Sequence, residues 1–147
     1  MNLILWRHAD AEDGRDDMAR RLTRKGRNQA KHVAEWLERH LPASTRVIVS
    51  PAVRARQTAE ALARDLHTDE HVSPGAAPAD VLAATGWPNA PTAVLVVGHQ
   101  PTLGEAAALA LTGKPLPWHV PKGGLWWLRS KDDGEVVVVA VMTPALV

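Results

Sequence analysis

Two arginines and two histidines stand where apolar runs stop. Arg7 and His8 close the run Leu3 to Trp6, Arg54 follows "VIVSPAV", and His99 closes the run Ala93 to Val97. A neutral imidazole carries a lone pair that can attack an electrophile or take a proton. A guanidinium presents a planar fork that matches the oxygens of a carboxylate or a phosphoryl group. Together, two of each describe a pocket for a phosphate or carboxylate. Arg7 and His8 alone are better read as solvated residues at a strand end, so everything depends on whether the fold brings Arg54 and His99 to them.

The elements needed for that can be read from the periodicity. Asn2 to Trp6 is a candidate strand. From Thr23 the period becomes helical, with Ala30, Val33, Ala34, Leu37 and Leu41 on one face and Lys31, Glu35 and Glu38 opposite. Thr23 reads as the N-cap and Pro42 as the stop. Arg46 to Val49 is a second strand, and Ser50-Pro51 reads as N-cap plus N1 proline of a helix running to about Leu66. Ala93 to Val97, apolar without alternation, suits a parallel strand covered on both faces. A helix follows from Pro101, with Leu103, Ala106, Ala107, Ala110 and Leu111 inward and Gly113 to end it. Between Thr68 and Pro91 a loop is expected, with one short helix near Ala79 to Ala84. "GGLWWLRS" and "EVVVVAVM" flank an Asp-Gly turn and read as a closing hairpin. Strand alternation sends one of Trp126 and Trp127 into the core and the other out.

The pattern is α/β: three layers, a mostly parallel central sheet with helices on both faces, and a C-terminal hairpin, with residues 1–147 expected to form one domain. Ligands of such sheets bind beyond the carboxyl ends of the strands. Crossovers of one hand put Arg7, His8, Arg54 and His99 on that edge, where helix N-termini also favour anions.

Composition narrows the field. Lys+Arg number 17 against 16 Asp+Glu, a net charge of +1 that gives no global attraction to nucleic acid. With no cysteine there is no disulfide, thiolate catalysis or sulfur-bound metal. The apolar lead-in is shorter than the ~7 residues of a signal-peptide core, and nothing approaches the ~18 of a membrane span. A cytoplasmic protein that does not engage membranes is expected.

Four stretches, "LWRHADAE", "LTRKGRNQA", "SPAVRARQTAE" and "VVGHQPTL", occur in this order. They resemble the landmarks of the histidine phosphatase superfamily, the phosphoglycerate mutase-like fold, and most of all its small SixA-type phosphohistidine phosphatase branch. Ala9 stands where most members have glycine. The resemblance covers residues 1 to 112 closely and the hairpin loosely. It implies that His8 is the nucleophile, that Arg7 and Arg54 hold the non-bridging oxygens, and that a protonated or donating His99 assists. Like-charge repulsion from these groups would keep His8 neutral. No metal and no cofactor are implied. The partner would be a histidine-phosphorylated protein of a phosphorelay or phosphocarrier system, or else a small phosphorylated metabolite.

One departure bears on the substrate. Many members carry a leaving-group acid near the position of "VSPGAAPAD", where this chain has Gly75, Ala76 and Ala77, with Asp80 further on. An alkoxide needs a proton to depart, whereas histidine can leave as neutral imidazole, whose conjugate acid has a pKa of ~6.5. The missing acid favours a P–N bond, unless Glu12, Asp13, Asp16 or Asp17 supplies the proton. The shortness of the Thr68 to Pro91 insertion suggests an open, shallow site. Competing readings are a metabolite phosphomonoesterase, a metal-dependent hydrolase on His8, Asp10 and His99, and a non-catalytic phospho-binding module. His67 and His71, at i,i+4 spacing in an expected loop, read as surface residues, as do His32, His40 and His119. Arg56 reads as outer-face charge. The cluster Arg20, Arg21, Arg24, Lys25, Arg27 and Lys31 reads as a solvated face, or as a dock for an acidic partner.

Overall fold

A computed structural model describes all residues 1–147. The chain forms β1 (Asn2–Arg7), α1 (Arg24–His40), β2 (Arg46–Val49), α2 (Val53–Ala59), β3 (Leu66–Thr68), α3 (Pro78–Thr85), β4 (Val94–Gly98), α4 (Thr102–Thr112), β5 (Leu125–Ser130) and β6 (Val136–Met142). The six strands make one sheet in the order β3-β2-β4-β1-β5-β6. The first four in that order run parallel; β5 pairs antiparallel with β1, and β6 with β5.

Continuous apolar strands are explained by two cores, one on each face. Ile4 and Trp6 of β1 join Val33 and Leu37 of α1 and Ala55 and Ala59 of α2. Leu3 and Leu5 face the other way, toward Val81 of α3 and Leu103 and Ala106 of α4. Every residue from Leu3 to Trp6 is fully buried, so water never selects an alternating pattern. The same two-sided cover corrects the tryptophan expectation. Trp127 enters the α1 core, but Trp126 packs against the other core and stacks on Trp118 with ring centroids 5.3 Å apart.

Thr23 caps α1 as expected, its Oγ1 accepting from the Gly26 amide at 3.0 Å. Gly113 ends α4 in the left-handed conformation at φ 78°. The second helix differs from expectation at both ends. It begins at Val53 with Ala52 as a cap that makes no side-chain hydrogen bond, and it ends at Ala59. The alanines and leucines beyond it fit a helical face on paper. In space Leu62 is buried by a turn, and Leu66 pairs with Val47 to give β2 a parallel edge partner. Pairing satisfies the backbone groups that β2 would otherwise expose on that side. His67 therefore lies in a strand rather than a loop; it and His71 are exposed, as are His32, His40 and His119. Arg56 is half-buried and donates to Thr68 Oγ1. No helix is long and apolar enough to cross a membrane.

Candidate active site

The sheet order fixes the neighbours at the strand ends. Arg7 of β1 is in register with Gly98 of β4, and Val49 of β2 with Val97 of β4. The residues just beyond, His8, His99 and Ser50, therefore sit side by side. The His8 amide continues the ladder to the Gly98 carbonyl at 3.0 Å, and the Ser50 amide to that of Val97 at 3.1 Å. Arg54, the second residue of α2, reaches back over them. Thus the four expected residues come together, and the imidazole centroids of His8 and His99 are 5.2 Å apart.

Hydrogen bonds assign the protons. His8 Nδ1 lies 2.7 Å from the Ala9 carbonyl, which can only accept, so Nδ1 carries the hydrogen. Nε2 then keeps its lone pair, and Arg54 Nε donates to it at 3.3 Å. Ala9 is itself pinned, its amide donating to Thr58 Oγ1 at 3.0 Å. Arg54 Nη2 meets His99 Nδ1 at 3.3 Å, so that nitrogen accepts, and the His99 Nε2 hydrogen faces Ser50 Oγ at 2.7 Å. Ser50 was expected only to cap a helix. Its place at a strand end, before a proline, was the one signal for this second role.

Burial dominates the electrostatics. His8 is 6% exposed and its pKa is lowered to about 4, chiefly by desolvation, with Arg54, Arg7 and Arg20 adding repulsion. His99 is lowered to about 3, again first by burial and then by His8 and Arg54. Like-charge repulsion is therefore secondary to burial in keeping His8 neutral, which corrects the expectation, and in this arrangement the His99 ring is neutral and accepts from Arg54. Burial and Arg54 also lower the Arg7 pKa. Arg7 Nη1 donates to the Val120 carbonyl at 3.0 Å, while its Nε is buried without a partner.

Among the four nearby acids, Asp17 is the one that reaches the pocket. Arg54 Nη1 donates to its backbone carbonyl at 2.6 Å and Nη2 to its carboxylate at 3.2 Å. Arg20 holds the other carboxylate oxygen at 3.1 Å. Hydrogen bonds from Arg20 and then Arg54 outweigh partial burial and hold the Asp17 carboxyl below its usual range. The His8, Arg54 and His99 side chains are buried, and the segment that reaches over Arg54 is the exposed turn around Asp17 rather than Thr68 to Pro91. Asp80 is exposed in the first turn of α3. Asp10 turns away from the histidines, its carboxylate bound by Thr23 Oγ1 at 2.7 Å and Lys122 Nζ at 3.1 Å. The expected alternative triad of His8, Asp10 and His99 thus does not assemble, and no three His, Asp or Glu side chains group so as to hold a metal ion.

Residues 3–80 match the model of the histidine phosphatase superfamily, branch 1. The chain is 32% identical to phosphohistidine phosphatase SixA of Escherichia coli over 80% of its length and 78% of that protein's. It is 41% identical to an uncharacterized protein of Picosynechococcus, over 88% of its length and 86% of the relative's. A solved structure from Nakamurella multipartitia, provisionally named phosphohistidine phosphatase SixA, superposes with a TM-score of 0.85 at 27% identity. That match covers 97% of this chain and 95% of the other.

Proposed function

The chain belongs to the histidine phosphatase superfamily and is a phosphatase, and from that premise we propose that it removes the phosphoryl group from phosphohistidine in a protein through a phospho-His8 intermediate, without a metal ion. The observation that carries this reading is the pair of contacts on His8. With Nδ1–H held by the Ala9 carbonyl, the Nε2 lone pair faces Arg54 in a ring that stays neutral at physiological pH.

The steps balance without an added acid. The Nε2 lone pair attacks phosphorus, the substrate P–N bond breaks, and its electron pair leaves on an imidazole protonated at the other nitrogen. One P–N bond is exchanged for another, so the transfer is close to thermoneutral. Arg7 and Arg54 hold the non-bridging oxygens as charge spreads over them in the transition state. Water then attacks phosphorus, a P–O bond forms, and His8 departs as neutral imidazole because Nδ1 has kept its hydrogen. The water proton passes to phosphate or solvent.

The phosphoryl group must take Arg54 from Asp17. A dianion in that place favours a proton on His99, which then donates to the oxygens. Asp17 itself is held ionised and cannot supply the proton an alkoxide needs. That supports a P–N substrate over a phosphomonoester. The test is phosphate release, in EDTA, from a histidine-phosphorylated peptide beside a phosphoserine peptide and an aryl phosphate. Release from phosphohistidine alone is expected. Equal or faster release from the esters would assign an acid to the site and a metabolite as substrate.

A further inference from the structure

The basic cluster near α1 is divided by the fold. Arg20 goes to the Asp17 turn, and Arg27 ties down the Leu22 carbonyl at 3.1 Å. Arg24 and Lys25, exposed in the first turn of α1, instead border a trough that starts at the active site. One part, about 740 Å³, is lined by Arg7, Lys25, Gln29, His119 and Lys122. A second part, about 550 Å³, shares Lys25, Gln29, Pro144 and Ala145 with the first and adds Arg24 and His32. Asp10 is the one carboxylate lining either part, and Thr23 and Lys122 already hold it.

Resting on the reading of a protein substrate, we propose that this trough docks an acidic segment of the partner beside the phosphohistidine. Charge complementarity is the argument. A strip of cations leads outward from Arg7, the residue assigned to the phosphoryl oxygens, and no free acid on its walls would repel a glutamate-rich chain. The turn that carries Asp17 mixes Glu12, Asp13, Asp16 and Asp17 with Arg15, Arg20 and Arg21, so its charges largely cancel. The trough is thus the wall of the pocket where positive charge is left unopposed, and an acidic flank is drawn to it. Exposed charges of this kind chiefly raise the rate of productive encounter and fade with salt.

Two phosphohistidine peptides test this, one flanked by glutamates and one by glutamines, with phosphoramidate as a small substrate that cannot reach the trough. Wild type should favour the glutamate peptide by about tenfold in kcat/KM, the sum of two or three exposed ion pairs. The preference should lie in KM and shrink with salt. Arg24→Glu with Lys25→Glu should abolish it while phosphoramidate turnover stays unchanged. Acids in the first turn of a helix are stabilising, so the variant is expected to fold. Equal use of both peptides by wild type overturns the docking site alone. Loss of phosphoramidate turnover in the variant overturns it too, because the cations would then act on the chemistry. Failure of both peptides in wild type overturns the protein-substrate reading beneath it.

Discussion

Replacing Gly26 with alanine sets two effects of opposite sign against each other. Alanine in place of a helical glycine gains about 1 kcal/mol of intrinsic propensity. Gly26 is buried, however, where α1 crosses the segment that follows His8. A Cβ there would stand 1.9 Å from the Asp10 carbonyl oxygen, 2.9 Å from its carbon and 3.1 Å from its nitrogen. These are backbone atoms that no rotamer change can move. To restore contact distance, the helix and the loop must part by roughly 1.5 Å, where overpacking typically costs about 1–3 kcal/mol. The movement also stretches the Thr23 amide to Asp10 carbonyl bond at 3.0 Å and the Thr23 hydroxyl to Asp10 carboxylate bond at 2.7 Å. Those bonds are each worth about 1 kcal/mol. The net expectation is a loss of about 2 kcal/mol in urea unfolding. A clear drop in turnover should accompany it, since Asp10 lies two residues from His8. Gly14→Ala is the control, because its Cβ would meet only Arg20 Cγ at 3.4 Å. A Gly26→Ala protein as stable and active as wild type would refute the reasoning.

Arg54→Ala should cost about 3 kcal/mol of transition-state stabilisation, a drop in kcat/KM of roughly two orders of magnitude; a drop under fivefold would remove Arg54 from the chemistry. Asp17→Asn should tighten inhibition by inorganic phosphate, because an anionic competitor leaves Arg54; unchanged or weaker inhibition would contradict that competition. Since the His8 pKa is lowered to about 4, kcat/KM corrected for the ionisation of the substrate's own phosphoryl group at pH ~6 should hold from neutrality down and fall only as pH approaches 4. A limb near pH 6.5 would mean that the ring is solvated. Stability should follow the same histidines. Their folded pKa values, about 4 and about 3, lie below the ordinary value of ~6.5, so the unfolded chain binds protons first as pH falls. Their contribution is full above about 6.5 and drains away toward pH 4 and below, which urea midpoints across that range would show.

The parts of the fold legible in the sequence are those fixed by local chemistry. Thr23, Pro42 and Gly113 mark helix ends through their own backbone and side-chain preferences, and the four motif residues lie at strand or helix ends that topology carries to one edge. Tertiary context decided the rest. Nothing local distinguishes helix from strand around Leu66, where the free edge of β2 selects a strand. Trp126 is covered because the sheet has a second core, which alternation cannot reveal. Ser50 and Asp17 enter the site through partners distant in sequence, His99 and Arg54. His8 and His99 titrate low mainly because they are buried, a property of the packed fold rather than of neighbouring motif residues.

The central claim is that Nε2 of His8 takes the phosphoryl group, and the direct measurement is a rapid-quench reaction with a radiolabelled phosphohistidine peptide. The account predicts label on the protein within one turnover, stable in alkali, labile in acid, located on His8 by peptide mapping and absent from His8→Ala, which should still unfold cooperatively. Release of labelled phosphate by wild type with no labelled protein at any time, or brisk turnover by His8→Ala, would contradict it.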